Sequence, residues 1–569
     1  MLIRLGWLAA IPAVILAQDA RTVVANAGKA MGADTLKTLQ YSGMGSNAGI
    51  GQNINPKAAW PVARVKTYSR ELDFNAIASH VRMIRVQGGA DQDLNQYILN
   101  DSPWDDQYEF WLTPFGFLKG ASANAATVRS ETIDGAKYNV VTFTLQNKHK
   151  VSGYINDQNL VEKVQTWIAN DVLGDMLAEA SYSVYKDFGG VKFPAMIIEK
   201  QGGFPVLIVS VSDVKPNATV NIQPPLPHTG AAAAPAVSVQ SEKVADGVFY
   251  LKGGTHHSVA VEFADHVAVI EAPLNEQRSV AVIAEVKKLI PNKPIRYVIN
   301  THHHFDHSGG LRSYVDEGAT IVTQDINKEF YEKAFSTPRT LNPDRLAQSG
   351  KIAKIETVGD KKVLGDGTRT LEIHLIKSSP HNDGILMAFL PKEKILIEVD
   401  VFTPPNPPAA GAPAPAPAAT VNPSTLNLVD NVEKLKLDFV TILPLHGPGA
   451  ATRADLYAAI GKPVPDINQI LTAAPPAAPG GRGRGGAAGA AGRGTQASAA
   501  PAAAAADPAR LILEAACTSC HTLGRVQSQK LSKPEWQDIV DKMKGRGAEV
   551  SDDDTIALVD YLAKTYAAK

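Results

Sequence analysis

Cysteine is nearly absent. The chain has two cysteines in 569 residues, Cys517 and Cys520, so no disulfide framework holds it together. Charge of one sign is also missing: 56 Lys+Arg stand against 57 Asp+Glu. That balance gives no basic footprint for nucleic acid. Arg482, Arg484 and Arg493 lie in a Gly/Ala spacer and read as charge that keeps a linker solvated. Long apolar runs are lacking as well. The stretch Leu5 to Leu16 falls short of the ~20 residues a spanning helix needs. Behind Arg4, and with Ala17 before the polar Gln18, it has the form of a secretory signal over 1–17. The expectation is an exported chain, periplasmic or extracellular, with no membrane span once mature.

The rest of the chain sorts into units by rhythm, because its length exceeds one core and suggests three or four domains at about 150 residues each. Residues 20–225 carry alternating strand-like runs, among them YNVVTFTL (Tyr138 to Leu145), KVQTWI (Lys163 to Ile168) and VLIVSVSDV (Val206 to Val214). Turn pairs such as Gly189-Gly190 and Gly202-Gly203 punctuate them, so one antiparallel β domain is expected. Its strand rhythm and FGGVKFPAMI resemble the curled half-barrel of lipoprotein-carrier-like domains. Residues 238–470 alternate strands with helices. EQRSVAVIAEVKKLI (Glu276 to Ile290) has helical spacing, and PIRYVIN (Pro294 to Asn300) reads as a buried strand. The Pro/Ala-rich segment Thr403 to Thr420 cannot build a core and reads as a surface insertion. A Gly/Ala/Pro linker over 473–507 leads to a short helical unit at 508–569.

What is present in excess is local. Of 14 histidines, four fall between His302 and His307. In His302-His303-His304-Phe305-Asp306-His307 the spacing is H-x-H-x-D-H. A strand ending at Asn300 releases the chain into a turn from which neighbouring side chains can diverge toward two nearby points. Neutral imidazole suits zinc, iron, nickel and copper, and with a hard carboxylate it makes a mixed N/O site for a divalent metal. One loop cannot complete two coordination spheres, and later strand ends supply candidates: His381 in HLIKSSPHNDG, Asp400 at the end of KILIEVD, and His446 in VTILPLHGPG.

These residues, in this order, resemble the metallo-β-lactamase superfamily over roughly 240–465. The resemblance implies an αββα sandwich with a dimetal site at one sheet edge. Carried over by position, His302, His304 and His381 would bind one ion. Asp306, His307 and His446 would bind a second, and Asp400 would bridge them, as in glyoxalase-II-like members. Asp306 would also orient the nucleophile, as the catalytic carboxylate. Thr301 and Gly309-Gly310 fit the family loop, and Glu271 stands where many members carry a supporting aspartate. His303 is expected to point outward or to support a ligand. His256 and His257 are candidates for the site mouth or for a plain exposed turn.

A second motif lies near the C-terminus. Cys517-Thr518-Ser519-Cys520-His521 is the C-x-x-C-H of covalent haem attachment, with His521 as proximal iron ligand. Met543, near the end of SKPEWQDIVDKMKGRG, is a candidate sixth ligand, a core methionine being the alternative. Ser532 and Glu535 form a capping-box pattern, and Ile556, Val559 and Leu562 share one helical face. The unit resembles a small all-α class-I-type cytochrome c domain.

These residues are compatible with three functions. The first is an exported dimetal hydrolase of a small-molecule ester, thioester or amide, zinc-dependent, carrying a c-type haem domain for a redox partner. The second is an iron redox enzyme of the same fold that exchanges electrons with the haem. The third makes the N-terminal sheet a carrier of an apolar molecule.

Overall fold

The computed structural model describes residues 19–87, 89–224, 237–406, 421–465, 513, 530–544 and 552–566. The signal segment, the 403–420 insertion beyond Asn406, the 473–507 linker and Cys517, Cys520 and His521 lie outside the described residues. Two compact units are present. The first carries both sheet domains, and the second carries the C-terminal helices.

The N-terminal domain is a single eleven-stranded sheet. Its first strand, Thr38–Ala48, closes antiparallel on its last, Phe204–Pro216, with Leu39 opposite Pro216. Burial alternates strictly along Gly174–Phe188 in its first nine positions, the period of two that a sheet with one covered face requires. The cover is helical: Ala20–Met31, Trp104–Leu112 and Pro114–Ala123. Their Val23, Trp104, Phe110, Phe115 and Phe117 share one cluster with strand residues such as Tyr41, Val141 and Val209. Sequence rhythm gave no sign of these helices. The segment Trp104–Ala123 is rich in aromatics and glycine, and it buries residues on most of its circumference, which erases the helical period.

The central domain stacks a seven-stranded sheet (240–358) on a six-stranded one (361–452). Alternate residues of the first sheet separate into two cores. Val248, Tyr250, Val259, Val261 and Ile270 face Leu371, Ile373, Leu386, Ile397 and Leu443 of the second sheet. Leu251, Ala260, Val267, Val269 and Val298 instead pack with Val282 and Val286 of the helix Glu276–Leu289 and with Leu311 and Tyr314 of the helix Leu311–Glu317. Helices Pro423–Lys434 and Arg453–Ala459 bury Leu428, Val432 and Leu456 beside the second sheet. Parallel pairing is what gathers the site: Ile270 lies beside Ile299, and Ile397 beside Leu443. Parallel neighbours end on the same side, so the loops after each of these strands emerge together.

In the second unit, helices Lys533–Lys544 and Asp552–Thr565 bury Trp536, Val540, Leu558, Val559 and Leu562 together. Ser532 meets Glu535 as the capping pattern predicts, its backbone N–H donating to the carboxylate at 2.8 Å. Ile556 is corrected: it is 63% exposed, and Leu558 takes its place in the core. Met543 is partly buried. Among the described residues no helix is long and apolar enough to cross a membrane.

Candidate metal centre

The strand Ile295–Ile299 delivers the histidine loop, and buried Asn300 ties it down. The Asn300 amide donates to the carbonyls of His302 (2.7 Å) and His307 (3.2 Å), while its oxygen accepts from Tyr331 (2.6 Å) and Thr323 (3.1 Å). A short helical turn, Phe305–Ser308, follows. Gly309 then passes so close to Leu274 that a Cβ would sit 1.9 Å from its carbonyl oxygen, which accounts for glycine at that position.

The loop sends its side chains three ways. His302 and His304 meet His381 and Asp400, whose candidate ligand atoms lie within 4.8 Å of one another. Asp306 and His307 meet His446 and His256 within the same limit. Phe305 turns away and packs against Ala48, Trp60 and Val206 of the N-terminal domain. Gly51 of that domain runs so close to Phe305 that an added Cβ would lie 2.3 Å from the ring.

Tautomers in both groups are set from behind. A carbonyl can only accept, so the His304 Nε2–H donates to Asn53 O at 3.0 Å and its Nδ1 lone pair faces the cluster. His307 Nδ1 donates to Glu271 at 2.8 Å, and His446 Nδ1 donates to the Thr255 carbonyl at 2.8 Å. Their Nε2 atoms lie 3.3 Å apart, both turned toward Asp400, at 3.0 and 2.8 Å. Burial opposes a charge on His307, but Asp400 and Glu271 raise it well above the ordinary imidazole value. Among the described residues His304 Nδ1 has no hydrogen-bond partner, and His302 Nε2 and His381 Nε2 meet only an Asp400 oxygen, at 3.3 and 3.1 Å. A buried orphan such as His304 Nδ1 costs about 1–3 kcal/mol. Asp400 stands between the groups in the left-handed region, φ 60°, a conformation tolerated where surroundings impose it. One of its oxygens lies 3.0–3.3 Å from His302, His307 and His381, and the other 2.8 Å from His446.

Electrostatics prepares the same atoms. Burial, then the neighbouring histidines, pulls His302 well below the ordinary imidazole value. Burial and His381 bring His304 down to about 4. Both are therefore neutral at pH 7, the form a metal takes. Burial opposes ionisation of Asp400 and Asp306. The positive His307 and the adjoining His302 and His381 outweigh it at Asp400, while His256, His307 and Gln52 outweigh it at Asp306. The atoms present, neutral nitrogens and carboxylate oxygens converging on common points, are a fit for two divalent cations.

The other sequence candidates also find places. Glu271 is buried and bonds both Thr301 N–H (2.7 Å) and His307, so the glutamate supplies the support its position implied. His303 is buried rather than outward: it bonds Asn53 Oδ1 at 3.1 Å and Asn382 at 3.2 Å. His257 packs behind the site, bonding the Gly447 carbonyl at 2.8 Å. His256 is not an exposed turn residue; it is buried, with its Nε2 3.4 Å from Asp306 Oδ2. Sequence reasoning missed Gln52 and Asn53 altogether, because their loop in the N-terminal domain carries no metal-type pattern. Gln52 Nε2 donates to Asp306 Oδ1 at 2.8 Å. A cleft of about 550 Å³ opens over the clusters, walled by Gln52, Thr255, Thr403, Asn406 and Pro448.

Comparison with known proteins bears on the domain that carries these clusters. Residues 251–451 match the family described as the Metallo-beta-lactamase superfamily, so the chain carries a domain of that superfamily. A 76-residue stretch is 32% identical to a linear primary-alkylsulfatase of Pseudomonas sp, covering 13% of this chain and 11% of that relative. The chain thus matches about a tenth of the length of this curated relative. Among solved structures, the metallo-beta-lactamase from Pontibacter korlensis is 15% identical, covering 42% of this chain and all of its own, with a TM-score of 0.30. Rubredoxin oxygen:oxidoreductase from Desulfovibrio gigas is 18% identical, covering 37% of this chain and 58% of its own, with a TM-score of 0.29.

Proposed function

We propose that the chain is an exported dimetal hydrolase acting on a small-molecule ester, thioester or amide, with zinc as the metal. The observation that carries this reading is Asp400, whose two oxygens lie 2.8–3.3 Å from four histidine nitrogens drawn from both groups. His302, His304 and His381 would hold the first ion and Asp306, His307 and His446 the second, with Asp400 shared. Two such ions, when bound, lower the pKa of water toward neutrality and polarise the carbonyl or phosphoryl-type oxygen of a substrate. The protein's own residues then do the positioning. Glu271, Asn53 O and Thr255 O hold three imidazoles in one tautomer. Asp306, anchored by Gln52 on one oxygen, keeps the other aimed at the cluster and orients the nucleophile. Thr403, Asn406 and Pro448 bound the cleft that a substrate enters. The alkylsulfatase match supports an ester-type bond.

The haem belongs to the same proposal: Cys517 and Cys520 attach it, His521 ligates its iron, and Met543 is the sixth ligand. The C-x-x-C-H motif supports this, and the N-terminal signal pattern supports the export that covalent haem requires. The motif also favours a second reading, in which the pocket holds iron and trades electrons with the haem, since a hydrolase has no evident need of one.

Metal analysis of the purified full chain, beside a haem stain and a screen of aryl esters, thioesters, amides and sulfate esters, separates the two. Two zinc per chain with hydrolysis is the expected result. Iron with a reducible optical band in the pocket would overturn it. The mass of the N-terminus in fractionated cells tests export.

A further inference from the structure

His256 has no counterpart in the ligand set read from the sequence, yet its position singles it out. It stands on the turn before the strand Ser258–Glu262 and pairs through an isolated backbone bridge with His446. That bridge, with the His257 N–H bonded to Leu445 O at 2.9 Å, binds the turn to the very loop that presents His446. The His256 ring lies 4.1 Å from the ring of His446 and 5.0 Å from that of His307. Its Nδ1 sits 2.7 Å from the Thr255 hydroxyl, which can accept its proton and leave Nε2 as a lone pair. Nε2 faces inward, 3.4 Å from Asp306 Oδ2.

Distance discriminates between a neighbour and a ligand. Neighbouring donors on one zinc at about 2.0–2.1 Å, in four- or five-coordinate geometry, lie roughly 2.9–3.6 Å apart. In the second group His307 Nε2 to His446 Nε2 is 3.3 Å, His256 Nε2 to Asp306 Oδ2 is 3.4 Å, and His307 Nε2 to Asp306 Oδ2 is 3.7 Å. These three separations are close to the edges of one coordination polyhedron.

We infer that His256 is a ligand of the second ion, adding a third imidazole to Asp306, His307 and His446. The inference rests on the dimetal reading proposed above. The second ion is then held by three nitrogens and two carboxylates, one of them the shared Asp400, and it keeps fewer places for water or substrate than the first. Nitrogen-rich ligation also shifts the second position toward zinc and away from the harder oxygen-seeking cations.

Cobalt(II) titration of the chelated full-length protein, followed by its d–d absorption and by calorimetry, tests this. Wild type should take up two equivalents. His256→Ala should bind the first with unchanged affinity, which also certifies the fold, and the second at least tenfold more weakly with an altered d–d band. His256→Gln keeps an amide donor for Asp306 but lacks the imidazole, and it should behave like the alanine variant. Two wild-type-like equivalents in His256→Ala, or recovery in His256→Gln, would overturn the assignment of His256. Fewer than two equivalents in wild type would instead overturn the dimetal reading itself.

Discussion

The molecule buries ionisable groups in two places, and it neutralises them by different means. In the N-terminal sheet Arg70, 1% exposed, lies among Glu109, Glu199, Tyr41 and Tyr68, with its Nε bonded to Ser79 at 2.9 Å and its Nη1 4.0 Å from Glu199. In the central domain eight histidine and aspartate side chains converge with no lysine or arginine among them. A buried carboxylate needs a counter-charge. The first cluster contains its own cation. The second holds only the imidazolium of His307 between its two aspartates, and under the dimetal proposal cations from solution complete it.

Removing a ligand from the second cluster should have the largest effect. His304→Ala should abolish hydrolysis and reduce bound metal, while the haem spectrum stays intact. Activity assays, metal analysis and optical spectra of one preparation check all three. Loss of haem in that variant would break the independence of the C-terminal unit. In the N-terminal cluster the matching change is Arg70→Met. It leaves two carboxylates buried with no counter-ion and should cost about 3–5 kcal/mol of stability in urea unfolding. Chelation should not reproduce that loss. If chelation destabilised both domains equally, the contrast between internal and external neutralisation would fail.

A smaller effect concerns pH. Burial, reinforced by Glu109 and opposed by Arg70, raises Glu199 from 4.5 to about 7. The folded chain therefore holds a proton that the unfolded chain has released between about pH 4.5 and 7. Stability from this group is full below that window and is lost as pH rises through it, by an amount on the order of 3 kcal/mol. Subtracting the unfolding free energy of Glu199→Gln from that of wild type, at pH 5 and at pH 8, isolates the contribution. The difference should be more favourable to wild type at pH 5. An equal difference at both values would show that Glu199 does not take up the proton.

The sequence disclosed the second cluster and not the first, for a physical reason. Side chains gathered on one loop repeat at short spacing, so His302, His304, Asp306 and His307 stand out together, and His381, Asp400 and His446 each come after a recognisable apolar strand. Arg70 lies within one strand, Glu109 on a helix and Glu199 on another strand. Nothing local joins them until the sheet closes. His256 was visible as a histidine, but its pairing with His446 spans 190 residues and depends on tertiary structure. The alternation of strands and helices in the central domain was readable from their periods, while its two-sheet sandwich was implied only by the family resemblance of the histidine motif. The aromatic helices covering the N-terminal sheet were not, because residues buried on most sides leave no period to read.

The smallest effect tests whether the boundary between the two domains belongs to the site. Gln52 comes from the N-terminal domain but donates its amide to Asp306 Oδ1 at 2.8 Å, and Asn53 beside it supports His303 and His304. Groups that orient a ligand without touching the metal are typically worth about 10–100-fold in affinity or activity. Asp306 is 35% exposed, so water can replace much of what Gln52 supplies, and the low end of that range applies. Gln52→Ala should therefore lower turnover about tenfold while both ions and the unfolding midpoint stay as in wild type. Gln52→Glu should do worse, since it sets a second negative charge against Asp306. Unchanged turnover in both variants would confine the N-terminal domain to packing, with Phe305 and Trp60 as its meaningful contact with the metal loop.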